Sequence, residues 1–383
     1  MYKYFVFFVS VLLFYSCNSE KKQSREITKT IQIDTTKKVS KKWFEIVKQD
    51  SSNILFVVLD PHGDALLAKN KFESICNQLN INMISPYTVK NNSAGYINQI
   101  NLCIEQYPQK NQQVYLVGFS GGARMAFQYA IKNYKKVKGL IMCGAGIGRL
   151  MQKKMPFPLV MIAGKNDFNM IEQYYSPFNT QLLKNTEIIS LLFDGKHEWP
   201  DSFSLKMASE FVLSKSSTYK LRNKEILEKY KNTNSMNKTL DSYKYLEILY
   251  KNNPKDKEVF TELKNTLQDK SFQKNITEFE NLLQTEQKRN QLLAQNLYDK
   301  DFSYWKNKIN EIDKIIKHKG KESESYSRSK AFLGVAIYSL CQREMQNPQS
   351  NQIQKLLKIY EVLEPNNKEM LKMKMINKKN TLD

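Results

Sequence analysis

The sequence predicts an α/β protein with a doubly wound, mostly parallel sheet, followed by an all-α domain. In residues 46–214, apolar runs of strand length alternate with stretches of about ten to fifteen residues that have helical apolar spacing. Beyond residue 214, glycine becomes rare and strand-like runs end, while the helical spacing continues. A chain of 383 residues is also long enough for two domains.

Six apolar runs in the first region are predicted to be strands. Continuous apolar runs are typical of parallel strands covered by helices on both faces. The runs are NILFVVLD, INMISPYTV, QVYLV, KGLIMCGAG, PLVMIAG and TEIISLLF. The helices predicted between and after them are ALLAKNKFESICNQLN, AGYINQINLCIEQYP, ARMAFQYAIKNY, 171–183 and SFSLKMASEFVLSK. Right-handed crossovers bring the carboxyl ends of such strands to one edge, where ligands bind.

The pentapeptide GFSGG at 118–122 lies between a predicted strand and a predicted helix. That context is the one a nucleophile elbow requires, because the serine sits on a strained turn with no room for neighbouring side chains. Gly118 and Gly122 meet this condition. The turn would aim the amide of Gly121 and the positive end of the following helix at the reaction centre. Taken alone, the pentapeptide also fits a plain glycine turn.

A nucleophilic serine needs a base, and the base needs an acid to orient it. His197 follows the strand TEIISLLF in the stretch DGKHEWP, and Asp167 follows PLVMIAG in GKND. Ser120, Asp167 and His197 would therefore meet at one edge of the sheet. Asp194 and Glu198 compete with Asp167 for the orienting role.

The stretches GFSGGARMA, AGKND and GKHEWP together resemble the α/β-hydrolase superfamily, over roughly residues 53–213. The resemblance is to serine esterases and depolymerase-like members. It implies that Ser120 attacks a carboxylic ester to form an acyl-enzyme, His197 shuttles the proton and Asp167 holds the imidazole tautomer. A serine peptidase with the same triad, and a hydrolase fold used only for binding, stay open. No cofactor and no metal is expected.

The resemblance also implies an oxyanion hole. One donor would be the amide of Gly121. The second would be the amide of Gly63 or of Asp64, after the His62-Gly63 pair. A carboxylate there would oppose a developing oxyanion, so the side chain of Asp64 is expected either to cap the following helix or to bind a substrate hydroxyl.

Aromatic residues near the predicted site have two interpretations each. Trp199 either packs beneath the histidine loop or forms a flat wall for a substrate ring. Tyr174 and Tyr175 either line an aromatic substrate subsite or cover the sheet. The loop IGRLMQKKMPF is too short for a cap domain, which predicts an open site and favours polymer-linked or surface esters.

The N-terminus has the layout of a secretory signal. Lys3 precedes a short apolar run that ends at Ser16 and Cys17. This resembles the lipobox of bacterial lipoproteins, which implies cleavage before Cys17, lipidation of its thiol and attachment to a lipid membrane in the cell envelope, at the bacterial outer membrane. An uncleaved anchor and a plain signal peptide are the alternatives. Residues 18–45 are a polar tether in which TIQID is a candidate edge strand.

The net charge of +21 is spread over both halves of the chain. No nucleic-acid motif accompanies it, so a solvated basic surface is expected and no nucleic-acid partner. The cysteines beyond Cys17 lack metal-ligand spacing. They are expected to be buried thiols, with a disulfide as the alternative.

Residues 215–383 are predicted to form a helical domain. Pro254 and Pro365 each follow an apolar helical stretch and precede a Lys-Glu pair, which is similar to the helix ends of tetratricopeptide repeats. The segment 276–317 predicts one or two long amphipathic helices. The domain is either a packing appendage or a docking module for a protein partner, and in the second case the chain would work as a scaffold.

Overall fold

A computed structural model describes residues 43–91, 95–108, 110–147, 157–175, 188–216, 223–233, 240–318, 320–345, 352–365, 367 and 371–375. The predicted signal peptide, Cys17 and the tether up to residue 42 lie outside the described residues. The chain divides into two compact units. One holds the sheet and continues to Ile276, and the other contains the helices from Thr277 onward.

Seven strands form one sheet, in the order β1-β3-β2-β4-β5-β6-β7. All neighbours are parallel except β1, which runs antiparallel to β3. The predicted α/β fold class is therefore confirmed. The strands are β1 Phe44–Val47, β2 Ile54–Leu59, β3 Asn82–Pro86, β4 Gln113–Phe119, β5 Val137–Cys143, β6 Leu159–Gly164 and β7 Ile188–Phe193.

Strand β1 was not predicted from the sequence, which assigns its first residues to the tether. Its four residues alternate between half-buried and buried, so they lack the continuous apolar run of the other strands. Glu45 in this strand is buried and accepts a hydrogen bond from the Tyr87 hydroxyl at 2.6 Å. The candidate edge strand TIQID lies outside the described residues.

In the described part of this region, five helices accompany the strands. They are α1 Ala65–Leu79, α2 Tyr96–Glu105, α3 Gly121–Lys132, α4 Met170–Tyr175 and α5 Ser202–Ser216. Residues of α1 and α5 pack in one apolar core with alternate strand residues such as Phe56 and Val58. Residues of α2 and α3 pack in a second core with Leu55 and Val57. The sheet is thus covered on both faces, as its continuous apolar runs require.

The sheet unit extends past residue 214, where the sequence predicts a domain boundary. Helices α6 Asn223–Thr233, α7 Leu240–Asn252 and α8 Lys257–Gln268 follow. Apolar residues of these helices, among them Ile248 and Leu249, belong to the core that also holds Phe56. Asp241 in α7 also pairs with Lys165, whose Nζ lies 2.7 Å from the carboxylate.

The second unit is helical. Helix α9, Lys270–Asp299, begins before it and continues into it. The helices α10 Phe302–Ile316, α11 Lys321–Glu344 and α12 Gln352–Leu363 follow, with a short helical stretch at 371–375. They pack around a fully buried Trp305. In the described part of the chain, none of the helices has both the length and the apolar character needed to cross a bilayer.

Candidate active site

The turn at Ser120 has the strained geometry that its sequence context predicts. Ser120 has φ 50° and ψ −119°, a conformation that residues with side chains rarely adopt. A Cβ on Gly118 would lie 2.5 Å from backbone atoms of the following helix, and a Cβ on Gly122 would lie 2.2 Å from the carbonyl oxygen of Leu59. Only glycine fits at either position, so the two flanking glycines allow the serine to project from the turn.

The structure brings Ser120, His197 and Asp167 into one hydrogen-bonded chain. His197 Nε2 lies 2.9 Å from Ser120 Oγ, and His197 Nδ1 lies 3.0 and 3.1 Å from the two carboxylate oxygens of Asp167. An ionised carboxylate only accepts hydrogen bonds, which assigns the proton to Nδ1 and leaves Nε2 to accept from the serine hydroxyl. This arrangement prepares Ser120 to lose its proton to His197.

Two aromatic rings contact the imidazole of His197. Its centroid lies 4.9 Å from that of Phe119 and 4.6 Å from that of Phe168. Gly144 also approaches the imidazole, since a Cβ on Gly144 would lie 3.1 Å from the ring. Because these contacts restrict rotation of the ring, both nitrogens stay aimed at their partners. Phe168 was not predicted as a site residue, although it directly follows Asp167.

Asp167 is fully buried, and its carboxylate also accepts from the Asn169 amide at 2.8 Å. Its loop is tied to the histidine loop, since Asn166 N–H donates to the Gly195 carbonyl oxygen at 2.9 Å. A Cβ on Gly164 would lie 2.4 Å from that same oxygen. The close approach of the two loops sets the distance between the acid and the base.

The two rival orienting acids are engaged elsewhere. The Asp194 carboxylate is 88% exposed and lies 2.8 Å from Lys165 Nζ. Glu198 accepts from the Lys196 amide at 3.1 Å. Of the three carboxylates that the sequence leaves open, Asp167 alone has a hydrogen bond to His197 among the residues the structure describes.

The predicted oxyanion donors differ in their availability. Gly121 is the first residue of α3, where backbone N–H groups have no partner within the helix. The amide of Gly63 instead donates to the Asp60 carbonyl oxygen at 3.1 Å, and the amide of Asp64 donates to Asp60 Oδ1 at 3.2 Å. The structure therefore does not support the prediction that one of these two amides is the second donor, because each hydrogen is already used.

The side chain of Asp64 caps helix α1, as one of its two interpretations expects. Its Oδ1 accepts from the Leu67 amide at 2.9 Å. The carboxylate is thus held at the start of the helix. The His62 side chain is exposed, and its backbone amide donates to Asp60 Oδ1 at 2.8 Å.

Asp60 organises the loop after β2 and was not identified from the sequence. It is 2% exposed, and its Oδ2 accepts from Trp199 Nε1 at 2.9 Å. Trp199 is 5% exposed and packs against Phe119 and Phe72. Its place in the core matches the packing interpretation and not the substrate wall. The sequence signal that could have identified Asp60 is its position at the end of the continuous apolar run NILFVVLD.

Tyr174 and Tyr175 lie in α4, and their side chains are outside the described residues. Residues 148–156, the loop whose length predicts an open site, are outside them as well. Within α4, Glu172 Oε2 lies 3.0 Å from Arg124 Nη2, and this ion pair is half-buried. The aromatic subsite and the open site stay predictions.

The thiols in the described part of the chain are buried and unpaired: Cys76, Cys103, Cys143 and Cys341. Burial raises the pKa of Cys76, with a smaller contribution from Glu73, and raises that of Cys103; both reach about 12. Burial also raises the pKa of Cys143, whose carbonyl oxygen accepts from the Ser120 amide at 2.7 Å. A nucleophilic cysteine needs a low pKa, so the raised pKa values of Cys76, Cys103 and Cys143 do not fit a nucleophilic role.

Comparison with solved structures returns several hydrolases of low identity. Alpha/beta hydrolase domain-containing protein 10 from mouse is 13% identical, with a TM-score of 0.33, and covers 43% of this chain and 90% of its own. FphF, a fluorophosphonate-binding serine hydrolase of Staphylococcus aureus, is 14% identical, with a TM-score of 0.34, over 42% of this chain and 84% of its own. Est1E from Butyrivibrio proteoclasticus, bound to ferulic acid, is 9% identical, with a TM-score of 0.35, over 45% and 94%.

No curated protein matches the sequence. Residues 91–191 match a family model described as alpha/beta hydrolase fold. This range contains the elbow at Ser120 and the loop with Asp167. Together with the order of the seven strands and the strained turn after β4, the match shows that the sheet-bearing unit of this chain has the α/β-hydrolase fold.

Proposed function

We propose that this chain is a serine hydrolase that cleaves carboxylic esters through an acyl-enzyme on Ser120. The observation that carries the proposal is the chain of hydrogen bonds from the strained Ser120 through His197 to the buried Asp167. A serine is a weak nucleophile at its ordinary pKa and becomes reactive when a positioned base takes its proton. The geometry of His197 suits this role.

The reaction would proceed in two halves. Ser120 Oγ attacks the ester carbonyl carbon while its proton moves to His197 Nε2, and a tetrahedral oxyanion forms beside the Gly121 amide. His197 then returns the proton to the leaving alcohol, and the acyl group stays on Ser120. Water gives a proton to the same nitrogen and attacks the acyl-enzyme; His197 then returns that proton to Ser120 Oγ as the acid leaves, which restores the free enzyme. Asp167 stabilises the imidazolium in both halves without itself becoming protonated.

A labelling experiment on the chain from Asn18 onward tests this function. The wild type is expected to react with a fluorophosphonate probe and to hydrolyse a short acyl ester such as p-nitrophenyl acetate. Ser120→Ala should lose the label and about 10⁴-fold or more of kcat. Ser74→Ala, a change at an exposed serine of α1, is the matched control and should behave as wild type. A wild-type chain with neither label nor hydrolysis of any ester in a panel would falsify the proposal.

Peptide substrates belong in the same panel, because ester and amide hydrolysis use the same triad.

We further propose that the chain is held in the cell envelope by a lipid on Cys17, and that residues 1–17 form its signal region, which is cleaved before Cys17. Expression of Cys17→Ala in the native host, followed by membrane fractionation, tests the anchor. Recovery of this variant in the membrane fraction at the wild-type level would contradict lipidation of that thiol.

A further inference from the structure

The candidate site has one identified oxyanion donor where acyl transfer by such a triad commonly uses two. Helix α3 supplies the amide of Gly121. The backbone N–H groups of Gly63 and Asp64 already donate hydrogen bonds to Asp60, the first to its carbonyl oxygen and the second to Oδ1. A second donor has to come from a group that lies next to Gly121 and still has a free hydrogen.

The carboxamide of Asn91 lies in that place. A Cβ built on Gly121 would be 1.5 Å from Asn91 Oδ1, 2.5 Å from its Cγ and 3.1 Å from its Nδ2. The Asn91 side chain therefore occupies the space that any side chain at position 121 would fill, next to the residue that follows the nucleophile. Since an ideal Cβ lies about 2.5 Å from the amide nitrogen of its own residue, Asn91 Nδ2 is at most about 5.6 Å from the Gly121 nitrogen.

The backbone of Asn91 is fixed to the loop after β2. Its amide donates to the Pro61 carbonyl oxygen at 2.8 Å. A Cβ on Gly63 would lie 2.5 Å from the Tyr87 carbonyl oxygen and 3.1 Å from the Lys90 side chain, so the turn before Asn91 packs closely on the same loop. By contrast, the carboxamide has no hydrogen bond within the part of the chain that the structure describes. Its position is held while its donors stay free.

We infer that Asn91 is a catalytic residue, whose carboxamide Nδ2 is the second donor to the oxyanion beside the amide of Gly121. Rotation of χ2 by about 180° exchanges the two ends of a carboxamide without moving its other atoms, so the amino group can take the position now held by Oδ1. A neutral N–H donor there stabilises the charge that develops on the carbonyl oxygen. This inference rests on the proposed ester hydrolysis at Ser120.

Substitution of Asn91 tests the inference on the chain from Asn18 onward, with two p-nitrophenyl esters of different acyl length. Asn91→Ala should lower kcat by about 10²–10³-fold for both esters and change KM little. Asn91→Asp keeps the shape but places a negative charge beside the oxyanion, so it should lose at least as much. Asn70→Ala, at an exposed position of α1, is the matched control and should retain wild-type kcat.

The outcomes separate this inference from the proposed function. An active wild type with Asn91→Ala within about threefold of its kcat overturns the role of Asn91 and leaves the hydrolase intact, because loss of an oxyanion donor costs far more. Activity retained in Asn91→Asp, or a change in KM for one ester only, shows a packing or specificity role and also overturns it. A wild type without label or hydrolysis overturns both. Circular dichroism confirms that each variant is folded.

A double-mutant cycle supplies an independent readout. Gly121→Ala would drive its methyl group onto Asn91 Oδ1 and displace the carboxamide, so the variant should lose kcat as Asn91→Ala does. Once Asn91 is Ala, adding Gly121→Ala should cost little more, because the contact is gone. Additive losses in the double variant would overturn the inference.

Discussion

Two fully buried carboxylates, one in each unit, have different surroundings. Asp167 accepts from His197, whose side chain is 25% exposed and whose other nitrogen faces Ser120. Glu286 accepts from Arg328 at 2.7 Å, and the arginine side chain is 1% exposed. In the first pair, the partner His197 still has its Nε2 directed at the Ser120 hydroxyl. In the second pair both charges are enclosed.

This difference teaches that burial and charge pairing do not by themselves mark a reactive site. Buried ion pairs occur in structural networks as well as in functional sites, and replacing one by well-packed apolar residues is often neutral or stabilising. The informative feature is a second polar atom of the partner that contacts a side chain on a strained turn. His197 Nε2 is such an atom, because it lies 2.9 Å from Oγ of the strained Ser120.

Among the variants that test the comparison of the two buried pairs, the largest effect is expected from Asp167→Asn. Asparagine keeps the shape of the side chain, but its carboxamide no longer holds the proton of the imidazole on Nδ1. With the proton on Nε2, His197 cannot accept the proton of Ser120, so kcat for ester hydrolysis should fall by about 10⁴-fold. The thermal midpoint should change little, since the amide is neutral in the buried site. Asp194→Asn and Glu198→Gln are the controls, and each should stay within about threefold of wild type by the same argument. A loss in either control equal to that of Asp167→Asn would reassign the orienting acid.

Glu286→Gln should show the opposite pattern. It leaves Arg328 buried without its counter-charge, which is expected to lower the free energy of unfolding of the helical unit by about 3–5 kcal/mol. Ester hydrolysis should be unchanged. Hydrogen exchange of α9 and α11, followed by mass spectrometry, measures the local loss of stability. Unchanged hydrogen exchange together with a reduced kcat would contradict the structural role of the Glu286–Arg328 pair.

Glu247, in α7, is another buried carboxylate, and it allows a test by pH. Burial would raise its pKa, but the charges of Lys244 and Lys251 outweigh this and hold the pKa below its ordinary value. Its stabilisation is therefore present above the unfolded pKa of about 4.3 and is lost as pH falls through the lower folded value. In urea titrations, the advantage of wild type over Glu247→Gln should be largest near neutral pH and should shrink on acidification. A constant advantage down to pH 3 contradicts this.

The smallest effect is expected when both members of the enclosed pair become apolar. The double variant Glu286→Leu with Arg328→Met removes the desolvation cost along with the attraction, so its stability should lie within about 1 kcal/mol of wild type or above it. Hydrogen exchange of the same helices provides the measurement. The equivalent change at Asp167 and His197 would abolish hydrolysis, which is the sharpest form of the contrast.

Much of the sheet was predictable because its strands are buried on both faces. A strand such as β6 reads as one continuous apolar run, and all six predicted strands are present. The order of Ser120, Asp167 and His197 along the chain was likewise visible, because each follows a strand directly. Strand β1 was missed since an edge strand of four residues with one buried face gives only a brief alternation.

By itself, the sequence determined which residues follow the strands, and hence the chemical groups that meet at one edge of the sheet. Tertiary structure alone decided how those groups divide their hydrogen bonds. Asp60 accepts hydrogen bonds from the amides of Gly63 and Asp64. Asn91, in the loop after β3, lies against Gly121. The physical reason is that apolar periodicity records burial along one element, whereas a hydrogen bond between loops depends on the approach of segments distant in the chain.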